Sequence, residues 1–130
     1  ISKVALLDKA FLLKEIKDYR QAITVFQKAI GEGIDNPELR FTLGLCLEKV
    51  DRGEDAIEEY FKAIYAFSDQ GGSNSGNSTN YDVKAYFRIA RAYEKINKKE
   101  EAKKAYQKII DLGVKEASIA KARLKELESR

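Results

Sequence analysis

Residues 5–30 read ALLDKAFLLKEIKDYRQAITVFQKAI, and residues 39–64 read LRFTLGLCLEKVDRGEDAIEEYFKAI. Laid one over the other, they place Leu6 on Arg40, Ala10 on Gly44, Leu13 on Leu47, Ala22 on Ala56, Phe26 on Tyr60 and Ala29 on Ala63, each pair 34 residues apart. A third copy, AYFRIARAYEKINKKEEAKKAYQKII at 85–110, continues with Tyr86, Ala90, Tyr93, Ala102, Tyr106 and Ile109, offset from the second by 46, or 34 plus 12. A fixed period of this length is the mark of a repeat architecture, so it decides the fold before any local propensity does.

Within each copy the first half carries apolar or small residues at i, i+3, i+4 and i+7, as in Tyr86, Ile89, Ala90 and Tyr93, and the second half does likewise with Ala102, Tyr106 and Ile109. That spacing is one face of a helix. Each unit is therefore two amphipathic helices joined by a short polar turn: KEIKDY, KVDRGE or KINKKE. Ala10, Gly44 and Ala90, set opposite Ala22, Ala56 and Ala102, let two helix axes approach, while Phe26, Tyr60 and Tyr106 fill the space between units. Gly44 inside a helix costs about 1 kcal/mol relative to Ala, a cost explained only by a need for close packing.

These residues resemble the tetratricopeptide repeat (TPR) family. PELRFTLGLCLEKVDRGEDAIEEYFKAI is the nearest copy, with Pro37 where a first helical turn tolerates its missing N–H. The departures are Lys9 and Arg40, where large apolar residues are usual, and Ile109, where Ala is usual. After Gly113, read as a helix C-cap, the segment KEASIAKARLKELESR keeps the phase through Ala120, Leu124 and Leu127, with Arg123 in an apolar position, and reads as a terminal helix covering the end of the stack. The resemblance implies an all-α, right-handed α-solenoid of three TPR helix-turn-helix repeats plus a C-terminal capping helix. We expect one domain over 1–130: repeat 1 at about 3–36, repeat 2 at about 37–68, repeat 3 at about 81–113 and the capping helix at about 115–128. Residues 69–80, within SDQGGSNSGNSTNYD, are the twelve extra residues between repeats 2 and 3; they are read as a disordered insertion, a flap over the groove or a modification site at Asn77-Ser78-Thr79.

Composition narrows the function. Of 130 residues 44% are apolar and 35% charged, and 24 basic against 21 acidic side chains give a net charge of only +3. Spread along the chain, that balance disfavours nucleic acid or a membrane surface as partner. The clusters NKKEEAKK and KARLKE are read as solvated helix faces. No apolar run reaches the roughly 20 residues of a membrane span. The chain begins at Ile1 and is read as a fragment; with no visible signal the compartment is left open, leaning cytoplasmic.

There is no histidine, and the one cysteine, Cys46, lies between Leu45 and Leu47, so it reads as a buried thiol rather than a nucleophile. GGSNSG at 71–76 lacks the Lys-Ser/Thr ending of a phosphate loop. The pairs Glu58–Glu59 and Glu100–Glu101 sit among Lys and Arg without a pocket to make them catalytic. We expect no enzyme activity, no cofactor and no metal.

In proteins of the resembled family the first helices line a concave groove that holds extended peptides or a partner's helix. Carried onto this chain, the groove positions are Leu7, Phe11 and Lys14; Phe41, Leu45 and Glu48; and Lys84, Phe87, Arg88, Arg91 and Lys95. Lys84, Arg88, Arg91 and Lys95 fall at i, i+4, i+7 and i+11, one stripe suited to carboxylates, or else a solvated face softened by Glu94. Leu7, Phe11, Phe41 and Leu45 either pack against neighbouring helices or form an apolar patch for an amphipathic helix. Family members that grip acidic chaperone tails carry a Lys and Asn clamp from two units and a Lys and Arg pair from the third; Lys84 and Arg88 match the pair, whereas Leu7, Phe11 and Thr42 depart from the clamp. The expected partner is a protein or peptide, acidic or amphipathic, with self-association as the alternative.

Overall fold

Ser2, Asp18 and Asn36 each stand just before a helix and accept a hydrogen bond from the backbone N–H three residues on, at 3.1, 3.3 and 2.8 Å. These side chains satisfy donors that a helix start leaves unpaired. In the computed structural model, which describes residues 2–66 and 76–129, and side chains at 2–66 and 81–129, the helices they open are α1 (Lys3–Glu15), α2 (Tyr19–Gly31) and α3 (Pro37–Lys49). The others are α4 (Gly53–Tyr65), α5 (Gly76–Lys95), α6 (Lys99–Asp111) and α7 (Ala117–Glu128), and no strand occurs among the described residues.

The turn inside each helix pair is built the same way three times. Lys17, Asp51 and Asn97, which the 34-residue phase makes equivalent, have φ of 67°, 64° and 63°. The next residue donates its N–H to the carbonyl five back, Asp18 to Leu13, Arg52 to Leu47 and Lys98 to Tyr93, at 2.8 to 2.9 Å. A left-handed residue with this bond closes a helix by the Schellman pattern and satisfies carbonyls the helix end would orphan. Gly113, with φ 68°, follows the end of α6 and supplies the same left-handed step, as its place in the sequence implied.

The chain divides into two compact units, residues 1–67 and 68–130. In the first, α1 packs on α2, α2 on α3 and α3 on α4. Ala10, Ala22 and Ala56 are fully buried, and Phe26 and Tyr60 lie wholly inside beside Leu39 and Leu43. Gly44 is there because of Tyr60: a Cβ at that position would come within 2.5 Å of the Tyr60 ring. Arg40, in an apolar position of the pattern, is kept half-buried by charge instead: it bonds Asp35 through two nitrogens at 2.8 and 2.7 Å and Glu59 through the third at 2.9 Å. Lys9, the other departure in this unit, is exposed and displaces nothing from the core.

In the second unit α5 packs on α6 and α6 on α7. Ala90, Ala102, Tyr106, Ile109 and Ala120 are fully buried, so Ile109 fills the position where Ala was usual. α7 runs as expected for the terminal helix, burying Ala120 and Leu127 and exposing Lys121, Lys125 and Glu126. α5 starts at Gly76, inside the stretch expected as insertion; the other insertion residues, 69–75, lie outside the described residues, as do the side chains of Asn77-Ser78-Thr79. Among the described residues no helix is long and apolar enough to cross a membrane.

Candidate functional site

In the first unit the expected groove residues are partly committed to the fold. Leu7, Phe11, Phe41 and Leu45 are all half-buried. Phe11 sets its edge on Phe26, with ring centroids 5.1 Å apart at 86°, and Phe41 leans on Tyr60 at 5.5 Å and 47°. Such contacts add about 0.5–1.5 kcal/mol beyond area burial, so these rings anchor the helix pairs with one side and offer only the other to a ligand. Lys14 pairs with Glu15 at 3.2 Å. Glu48 accepts a 2.5 Å hydrogen bond from the Tyr60 hydroxyl, which gives a phenol deep in the core its partner.

α5 differs. Phe87 is half-buried with its edge toward Tyr106, at 6.3 Å and 67°, while Lys84, Arg88, Arg91 and Lys95 are exposed along one helical face. Lys84 stands over the Tyr81 ring, its Nζ 5.6 Å from the centroid. No ion pair engages Arg88, Arg91 or Lys95 among the described residues.

Glu94, the acidic residue next to this stripe, is engaged with other helices. Its carboxylate accepts from the Tyr106 hydroxyl at 2.5 Å and pairs with Arg123 at 3.3 Å. Arg123 Nε also reaches the Tyr106 oxygen, at 3.5 Å, which closes a triangle between α5, α6 and α7. Burial together with the Glu94 carboxylate holds the Tyr106 phenol above its ordinary pKa, so it donates at neutral pH. The charge on Arg123 explains why this apolar position of the repeat is not apolar. The pattern carried a sign of it: Glu and Tyr lie 12 residues apart at Glu48 and Tyr60 and again at Glu94 and Tyr106, whereas repeat 1 has Lys14 and Phe26. Where the phenol is absent, so is the carboxylate that would receive it.

The remaining chemistry is structural. Cys46 is fully buried, and burial pushes its thiol up to about 11. Glu59 serves Arg40, and Lys62 at 3.6 Å, while Glu100 pairs with Lys103 at 3.4 Å. Thr42, where the chaperone clamp needs Asn, is buried and turned into the fold.

Helix pairs of one spacing, closed by one kind of turn, define an all-α helical-repeat protein. Two tetratricopeptide repeat models match, one over residues 4–32 and the other over residues 83–112. These two segments are tetratricopeptide repeats, and the fold class of the chain is the all-α helical-repeat solenoid. No curated protein matches it. Among solved structures, the first TPR of Spaghetti (RPAP3), bound to the HSP90 peptide SRMEEVD, has a TM-score of 0.69 at 21% identity, covering 98% of this chain and 90% of that one. The Arabidopsis OM64 TPR domain gives 0.69 at 20% identity over 95% and 94%. PcrH from Pseudomonas aeruginosa gives 0.70 at 15% over 97% and 91%. At these identities the likeness is one of fold.

Proposed function

We propose that the chain is a non-enzymatic protein-interaction scaffold that binds a peptide or helix of a partner on its first-helix faces, and that α5 receives an acidic segment or a chain terminus. The observation that carries this is the stripe of Arg88, Arg91 and Lys95, three exposed cations without an ion pair among the described residues, on one face of a helix whose opposite face is core. Guanidinium groups meet carboxylates two bonds at a time, and surface cations with no partner of their own lose little when a ligand arrives. The half-buried Phe87 on the same helix supplies apolar contact for an amphipathic ligand.

The RPAP3 domain, similar in fold, is bound to the HSP90 peptide SRMEEVD, which supports a peptide as ligand. With Leu7, Phe11 and Thr42 in place of clamp residues, this chain is not expected to hold SRMEEVD in that peptide's own register. A fluorescein-labelled peptide of six glutamates with a free C-terminus tests the simpler claim by anisotropy. The double variant Arg88→Ala, Arg91→Ala is expected to bind about tenfold more weakly and to lose much of the salt dependence. Unchanged affinity in that variant would remove α5 as the site.

Self-association is the second reading, favoured by the exposure of Leu12 on α1 and of Ile16 just after it, at 62% and 65%. Sedimentation at several concentrations decides it; a strict monomer throughout excludes it.

A further inference from the structure

We infer that Arg123 sets the anion affinity of the α5 basic face by holding the one carboxylate on that helix able to neutralise it; this rests on the reading of the face as an anion-binding surface. Residues three apart on a helix are neighbours, with Cβ atoms roughly 5–6 Å apart. Glu94 stands three residues after Arg91, so an unengaged Glu94 carboxylate has Arg91 as its nearest cationic helix neighbour toward the stripe. Asp82, the other described acid of α5, has Ala85 and Tyr86 three and four residues on and no cation to neutralise.

The triangle removes Glu94 from that role. Tyr106 takes one carboxylate oxygen at 2.5 Å, and Arg123 Nη2 lies 3.3 and 3.4 Å from the two oxygens. Its charge is matched from α7, and Arg88, Arg91 and Lys95 keep theirs for a ligand. The repeats contain their own control. Glu48 makes the same bond to Tyr60, but the residue three before it is Leu45, not a cation, and no arginine holds it among the described residues. The arginine occurs where there is a basic face to protect. It acts through Glu94 and is a positioning residue.

A double-mutant cycle on the hexaglutamate peptide tests this against Arg123 acting as one more distant positive charge. Arg123→Met is expected to weaken binding about fivefold, Glu94→Gln alone to stay within about twofold of wild type, and the double variant to return to within about twofold, so that the effects do not add. Additive effects, with Glu94→Gln tightening binding as much as Arg123→Met weakens it, overturn the inference, as does an Arg123→Met variant that binds like wild type. Urea unfolding accompanies each variant; if Arg123→Met does not stay folded, Arg123→Gln takes its place with the same expectations. Wild type that binds through Arg88 and Arg91 while the cycle is additive overturns the inference alone. Wild type that does not bind the peptide overturns the reading of the face as well.

Discussion

Glu48 and Glu94 occupy the same place in successive repeats and make the same hydrogen bond, yet their surroundings differ. Around Glu48 the first-helix positions hold Phe41 and Leu45, both half-buried and apolar. Around Glu94 they hold Arg88, Arg91 and Lys95, exposed and, among the described residues, without an ion pair. The helix pair, its turn and its aromatic filler are common to both units, so what distinguishes them is confined to positions the fold does not need. Function in this family's architecture is written on such positions. Polar substitutions should then cost stability in the first unit and binding in the second.

The largest expected stability effect is at Arg40, where Ala leaves Asp35 and Glu59 without their guanidinium in a half-buried setting. A loss of about 2–3 kcal/mol in urea unfolding is expected, and a loss below about 0.5 kcal/mol, as at an ordinary surface site, would show the cluster to be ornamental. Next is Gly44→Ala. The new methyl meets the Tyr60 ring at 2.5 Å, and overpacking of about 1–3 kcal/mol exceeds the gain of about 1 kcal/mol in helix propensity. A variant more stable than wild type would mean that Tyr60 can yield.

Tyr60→Phe deletes the bond to Glu48 and should cost about 1 kcal/mol, because it strands a carboxylate on the fold's margin. Adding Glu48→Lys reproduces the Lys14 and Phe26 pair of repeat 1, and recovery of most of that loss is expected in the same unfolding assay. No recovery would mean that the two positions are independent. The smallest effect is Arg88→Ala with Arg91→Ala: within about 0.5 kcal/mol of wild type, although this pair has the largest expected effect on the peptide. A marked loss of stability there would erase the contrast between the two units.

Much of this was legible in the sequence. The 34-residue phase placed every helix pair and the short polar turn within it, and Gly44 announced a close approach before its neighbour was known. The phase also delivered the α5 stripe, since i, i+4, i+7 and i+11 need only a helix. Partners distant along the chain were not legible. Arg40 finds Glu59 at a separation of 19 residues, and Arg123 finds Glu94 at 29; a repeat pattern marks both arginines as misfits without naming what they hold. The start of α5 at Gly76 was not legible because Gly, Asn, Ser and Thr, which form its first turns, are poor helix formers.

The central claim is that the second unit's α5 face, and not the first unit's apolar face, receives the acidic ligand. Backbone amide NMR shifts during titration with the hexaglutamate peptide test it most directly. Perturbations should concentrate at residues 84–95 of α5, with a smaller response at Arg123, and should fade as salt is raised. Shifts confined to α1 and α3, or none at peptide concentrations that saturate by anisotropy, would contradict it.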